Sequence, residues 1–411
     1  MRLLKLHLGF CLLMGLWFQH VHAAVPQGAA HKQAALQSPA TALAAAPVAR
    51  PQPIIAEKIR VVFLNPASQS AQEFWWKTCA IFMQAAAKDL GIELTVYWAN
   101  RSPAQMYQQA DEALGAAVKP HFIVMQNMKK TAPQIIEMAH KHNVRVLLFN
   151  SGLEEEETRV YGVPREKYSN WIGQILPDDA GAGYQLAKMI VGAAREKGLS
   201  NPAGKVEMLA LGGTVSDSSA IERNKGLTRY LQEHTADVVL NRGQALPGDW
   251  ESAKAASVFE AAFDGHPTTT VVWNANDNMA MGVLGKAKDK FGKTPGKDIM
   301  VGGIDWNPEN LKAVKQGQIA ATLGGHFMEG AWVMVLVNDY AKGVDFQTEG
   351  VSLKSELGAI TAANIAKFER ALGGRSFEKV DKIDFSKFSK ASNPALKTYR
   401  FSLDEVLGQL K

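Results

Sequence analysis

The sequence predicts an α/β protein of doubly wound type folded into two lobes, and three observations predict it. Short β-rich apolar runs alternate with longer amphipathic stretches over most of the chain. The chain has 411 residues, more than one average domain. The alternation breaks once, between Ser151 and Leu176, and then resumes.

The elements follow in order. Arg2 and Lys5 precede an apolar run from Leu8 to Phe18, and Val21-His22-Ala23 places small residues at −3 and −1 of a cleavage point. That is the order of a secretory signal over residues 1–23, and the run is too short to span a bilayer as a mature helix. Cys11 would leave with this segment, so Cys79 is the one cysteine expected in the mature chain and no intramolecular disulfide is expected. Residues 24–56 are rich in Ala, Pro and Gln, with almost no charge and no periodicity. They read as a flexible leader, because such a stretch cannot bury enough surface to offset its ordering entropy.

From Glu57 onward the apolar runs are Ile59–Leu64, Ile92–Trp98, Phe122–Met125, Val144–Phe149, Val206–Leu211, Val238–Leu240, Thr270–Trp273 and Ile299–Ile304. Near-continuous Val/Ile/Leu runs separated by helical stretches imply parallel strands covered on both faces. Trp75, Cys79, Phe82, Met83, Ala86 and Leu90 share a helical stripe, which reads Cys79 as a buried structural thiol. The interruption at 151–176 reads as a crossing between lobes. Its acidic run Glu154–Glu157 reads as a solvated loop, lacking the alternating oxygen-ligand spacing of a calcium site. Beyond Leu323 come a helix (Met328–Lys342), an extended piece (Gly350–Leu357), a helix (Asn364–Leu372) and a polar tail with Phe385, Phe388 and Phe401. The tail is expected to pack on the second lobe.

The function classes narrow by exclusion. The formal net charge of +5 arises from 45 basic and 40 acidic residues spread along the chain, with no dense basic block, so nucleic acid is a poor partner. No phosphate loop, Gly-x-Ser-x-Gly elbow or His-Glu-x-x-His zinc motif occurs in the sequence. Gly181-Ala182-Gly183 lies inside a helical pattern, and His140-Lys141-His142 at a helix end reads as solvated. No catalysis, cofactor or metal is expected.

In open α/β sheets ligands bind beyond the carboxyl ends of the strands. There the sequence places Phe74-Trp75, Asn150-Ser151, Ser216-Asp217-Ser218-Ser219 with Arg223 one turn on, Asp249-Trp250, Asn276-Asp277 and Asp305-Trp306. Flat aromatics suit the C–H faces of a sugar, and carboxylate, amide and guanidinium groups suit its hydroxyls. Asn276-Asp277 would equally cap the helix that follows.

The stretches Trp273–Gly282, Val301-Gly302-Gly303-Ile304-Asp305, Glu222–Leu227 and Ile319-Ala320-Ala321-Thr322 resemble the type I periplasmic binding proteins of the ribose/galactose group, over about Lys58 to Leu357. The resemblance implies two Rossmann-like lobes joined by three crossings: 57–175 with 326–350, and 176–325 with 351–411. It implies Phe74 and Trp75 as one aromatic wall, Trp250 as the facing ring, and Arg223, Asn276 and Asp305 as partners of ligand hydroxyls. Asn150-Ser151 stands where sugar binders of the family carry a strand-end Asp, often followed by Arg. Asn150 with Trp75 and Arg223 is also similar to the receptors for the furanosyl-borate signal autoinducer-2, which have Trp where Asp305 stands. The implied protein is a periplasmic monomer that closes on a sugar-like ligand and delivers it to an ABC permease, or presents its closed form to a membrane sensor kinase or cyclase.

Overall fold

The computed structural model describes residues 52–54, 56–70, 74–372 and 379–410. The signal segment and most of the leader lie outside the described residues. The end of the leader is already tied down, since the Ile54 N–H donates to the carbonyl of Ala341 at 2.8 Å.

The chain runs β1 Ile59–Asn65, α1 Phe74–Leu90, β2 Ile92–Trp98, α2 Pro103–Gly115, β3 Phe122–Met125, α3 Ala132–Lys141, β4 Arg145–Phe149, α4 Glu155–Tyr161 and β5 Trp171–Pro177. It continues through α5 Asp179–Glu196, β6 Val206–Gly212, α6 Ser218–Glu233, β7 Val238–Leu240, β8 Leu246–Pro247, α7 Ser252–Gly265, β9 Val271–Asn274, α8 Asp277–Asp289, β10 Met300–Ile304, α9 Pro308–Lys315 and β11 Ala321–Gly324. Then follow α10 Glu329–Ala341, β12 Ser352–Ser355, β13 Gly358–Ile360, α11 Ile365–Leu372 and α12 Leu403–Gln409.

Two sheets form. The first has the order β12-β5-β4-β3-β1-β2, and all its pairings are parallel. The second has the order β13-β11-β10-β9-β6-β7, with β8 beside β6, and only β13 runs antiparallel. Each sheet reverses strand order once, between β1 and β3 and between β6 and β9, which is where a doubly wound sheet opens its binding crevice.

Alternate residues of the central strands serve opposite faces. In β1, Val61 and Phe63 join the core under α1 and α10, while Val62 and Leu64 join a second cluster with Met106 of α2 and Ile135 of α3. Cys79, Phe82, Met83, Ala86 and Leu90 are buried along α1, as their spacing predicts.

The structure corrects the sequence reading in three places. The interruption at 151–176 holds the last two elements before the first crossing, α4 and β5, and the chain changes sheet only at Asp178. Glu154–Glu157 is no loop: Glu154 caps α4 in a capping box and the other three form its acidic first turn. Finally, 351–411 does not belong to one lobe. β12 extends the first sheet beside β5, so the third crossing falls at Glu356-Leu357, before β13 joins the second. The short 3-10 turn Phe385–Phe388 packs on α1 and α10 of the first lobe: the Phe385 N–H donates to Asp89 Oδ2 at 3.0 Å and the Phe388 ring lies 4.8 Å from Trp332. The chain then returns to the second lobe, where α12 packs against α11 and Lys367 pairs with Asp404.

Candidate functional site

A cleft of about 410 Å³ lies between the carboxyl ends of the two sheets, and all seven residues singled out in the sequence line it: Phe74, Trp75, Asn150, Arg223, Trp250, Asn276 and Asp305. Phe74 and Trp75 open α1 from the first lobe and Asn150 directly follows β4, whereas Arg223, Trp250, Asn276 and Asp305 come from the second.

Local sequence explains their placement. Asp217 accepts from the Ser219 N–H at 3.0 Å to start α6, which sets Arg223 on the turn facing the cleft. Asn276 does the same for α8, accepting from the Met279 N–H at 2.9 Å, and its Nδ2 donates to the carbonyl of Trp250 at 3.3 Å. Asn276 is therefore cap and cleft wall together. Asp277, one residue on, faces away: it accepts from the Asn307 N–H, Asn310 Nδ2 and Thr322 Oγ1 at 2.7–2.8 Å and holds the chain beyond β10. Trp306 is fully buried, and its Nε1 donates to the Gly358 carbonyl at 3.2 Å, so it belongs to the core.

The backbone around the cleft is strained. Among the described residues twelve non-glycine residues have positive φ, and six of them line this cleft: Arg101, Lys129, Asn150, Asp249, Trp250 and Asp305. Such conformations cost about 1–3 kcal/mol each and gather at binding sites, where the surrounding structure enforces them.

Arg223 is the electrostatic centre. Its side chain is 4% exposed; Nε donates to Asp179 Oδ1 at 2.6 Å, and Nη1 donates to the Ala275 carbonyl at 2.7 Å. Nη2 lies 3.3 Å from His326 Nε2, and the guanidinium carbon lies 5.5 Å from the Trp250 ring centre. Burial, assisted by the Arg223 charge, holds the His326 imidazole well below its ordinary pKa, so Nε2 is free to accept from Arg223. Burial pushes Asp305 well above the carboxylate range, with Arg223 opposing and Asp277 and Asp179 adding to the rise. The Asp305 carboxylate lies 3.7 Å from Arg223 Nη1 and 3.6 Å from His326 Nε2, and among the described residues it accepts no hydrogen bond. Its oxygens keep their acceptor capacity for something in the cleft.

Sequence reasoning missed Trp76, Arg101, Gln126, Lys129 and His326, which also line the cleft. Gln126 directly follows β3, so the strand-end rule would have found it. His326 follows β11, whose four-residue Ala-Thr-Leu-Gly sequence is too short and too little apolar to signal a strand. It reaches the site through Gly325, at φ 95°, and its ring lies 4.9 Å from Trp75.

Comparison with known proteins agrees with this geometry. The chain is 26% identical to the ribose import binding protein of Escherichia coli K12 over 240 residues, which is 58% of this chain and 71% of that protein. It is 31% identical to the D-allose-binding periplasmic protein of the same organism over 149 residues, 36% of this chain and 44% of that one. The crystal structure of a periplasmic sugar-binding protein from Pseudomonas fluorescens superposes with a TM-score of 0.74 at 32% identity, covering 85% of this chain and 99% of that one. Residues 28–345 match the family described as the periplasmic binding protein domain. Two mainly parallel sheets in α/β lobes, a cleft at their carboxyl ends and that match together place the chain in the periplasmic binding protein family, as a solute-binding protein and not an enzyme.

Proposed function

We propose that the cleft captures one small polyhydroxylated ligand, a sugar or polyol, and that hinge closure presents it to an ABC importer in the membrane. The observation that carries this reading is Asp305, whose unfilled carboxylate stands beside the Arg223 guanidinium in a cleft walled by Trp75 and Trp250. A paired acceptor and planar donor suit vicinal hydroxyls, and the rings suit the apolar face of a sugar. The ribose and allose named for the relatives support that ligand class. Asn150-Ser151 supplies neither a charged acceptor nor an arginine, which argues for a hydroxyl pattern different from ribose. Closure follows from the split of the site: aromatic residues of both lobes touch one small ligand only when the lobes approach. Export by residues 1–23, with processing after Ala23, and a monomeric mature chain complete the reading.

The test is to export the protein to a bacterial periplasm, weigh it by native mass spectrometry, and identify what denaturation releases. A mature chain beginning at Ala24 and a released pentose, hexose or polyol are expected. Thermal-shift titration with D-ribose, D-allose, D-galactose, L-arabinose and myo-inositol then ranks the class. An empty protein stabilised by none of these, with no ligand-induced compaction in small-angle scattering, would overturn the assignment.

A further inference from the structure

We propose that Asp179 is a positioning residue for ligand binding, acting through Arg223 by fixing the guanidinium so that its remaining N–H groups face the cleft. The inference rests on the reading of the cleft as a sugar site. Asp179 lines no part of the cleft, so it cannot act by touching the ligand. It is 4% exposed and begins α5, directly after the first crossing between the lobes. Its Oδ1 takes the Nε–H of Arg223 at 2.6 Å, the shortest of that residue's polar contacts.

A guanidinium carries five N–H donors in a rigid plane. Asp179 takes one, the Ala275 carbonyl a second, and His326 Nε2 a third. One donor on Nη1 and one on Nη2 remain, and Nη1 is the nitrogen beside Asp305. Fixing Nε fixes the plane, and with it the direction of the two free donors. The backbone beneath is held as firmly: a Cβ at Gly183 would run into the Arg223 carbonyl oxygen, and a Cβ at Gly226 into that of Ala180, so α5 and α6 meet at glycine distance.

Stability alone is a weak reason for such a pair. Desolvating a carboxylate and a guanidinium cancels most of their attraction, and apolar replacements of similar volume are often no less stable. Burial also raises the Asp179 pKa to about 6 against the pull of Arg223, the mark of a carboxylate kept in an unfavourable place. What the pair does supply is orientation. Asp179 stands at the first crossing and His326 at the second, so both hinge strands grip the arginine that faces the ligand.

The test is a double-mutant cycle read by isothermal titration with whichever of D-ribose, D-allose, D-galactose, L-arabinose or myo-inositol binds the wild type most tightly. Asp179→Ala is expected to weaken binding about 10- to 100-fold in the wild-type background and less than about twofold in an Arg223→Lys background, whose lysine has no fork to orient. Asp179→Asn keeps an acceptor oxygen for Nε–H and should recover binding to within about tenfold of wild type. Circular dichroism of the free proteins checks the fold, and if Asp179→Ala does not fold, Asp179→Leu, which fills the same space without an acceptor, takes its place in the cycle. Equal losses in both backgrounds, or wild-type affinity in the single variant, overturn the positioning role and leave the cleft reading intact. Failure of the wild type to bind any of the five, or an Arg223→Ala variant that binds like wild type, overturns the cleft reading and this proposal with it.

Discussion

Asp305 sits at φ 135°, a backbone region that L-residues rarely adopt, with its N–H donating to the Leu323 carbonyl at 2.6 Å and the buried Trp306 ring behind it. The surrounding core holds it there, and its carboxylate has no hydrogen-bonding partner among the described residues. Asp305→Ala should therefore leave the fold intact and weaken sugar binding by about 2–4 kcal/mol, the cost of stranding the buried polar groups it would pair with. Titration calorimetry with circular dichroism as control decides it; unchanged affinity would remove Asp305 from the site. Asp277 makes a different prediction. Burial raises its pKa from 3.8 to about 7, with the Asn307 N–H and the Thr322 hydroxyl opposing. A carboxyl with a raised folded pKa contributes stability that is complete below its unfolded pKa and is lost as pH rises through the folded value. The melting-temperature difference between wild type and Asp277→Asn should therefore shift against the wild type from pH 4 to 7, and a flat difference would contradict it. His326, whose pKa is lowered, acts in the opposite sense: its contribution is present above its unfolded pKa and is lost on acidification.

At the scale of the element, α5 and α6 show how packing, not propensity, places a glycine. Gly183 and Gly192 lie in the same helix and have the same intrinsic cost there. A Cβ at Gly183 would meet the α6 backbone at Arg223, while one at Gly192 would meet nothing within 4 Å. Gly183→Ala should destabilise by about 1–3 kcal/mol through overpacking and weaken ligand binding by displacing Arg223. Gly192→Ala should stabilise by about 0.5–1 kcal/mol and leave binding alone. Chemical denaturation and titration of the two variants separate the effects, and equal behaviour would refute the close α5–α6 contact. The glycines in 181–183 were legible as helical because the amphipathic pattern runs through them. The function of Gly183 as a contact surface was not, because the partner helix is some forty residues away in sequence.

Across the whole molecule, the two sheets repeat one strand order, and the chain passes between them three times. Ties lace the crossings together: Glu329, after the second, accepts from the Ser355 hydroxyl, and the Ser355 carbonyl accepts from the Asp178 N–H at 2.8 Å. The family match ends at residue 345, yet the chain beyond it is integral. Phe401 stacks on Trp332 at 4.9 Å, and Asp339 accepts from the Ser389 hydroxyl, the Lys390 N–H at 2.7 Å and the Tyr399 hydroxyl at 2.9 Å. Deleting residues 379–411 uncovers Trp332, removes Phe385, Phe388 and Phe401, and strands the buried Asp339. That should cost on the order of 5 kcal/mol or more, since each buried aromatic is worth about 1.5–3 kcal/mol. A urea midpoint unchanged by the truncation would show the tail to be dispensable.

The sequence by itself determined the α/β class, eight of the strands, the capped helix start at Asn276 and seven residues that meet in one cleft, because each of these is written in local pattern: continuous apolar runs, helical stripes, and polar side chains at strand ends. Tertiary structure decided the rest. Gly350–Leu357 reads as extended in the sequence, but it was the unpaired edge of β5 that placed Ser352–Ser355 in the first sheet rather than the second. The tail spans both lobes because Trp332 and Asp339 needed cover, and nothing near Phe388 in sequence says so. His326 and Asp179 reach Arg223 from two crossings more than a hundred residues apart, a proximity that exists only once both sheets have formed.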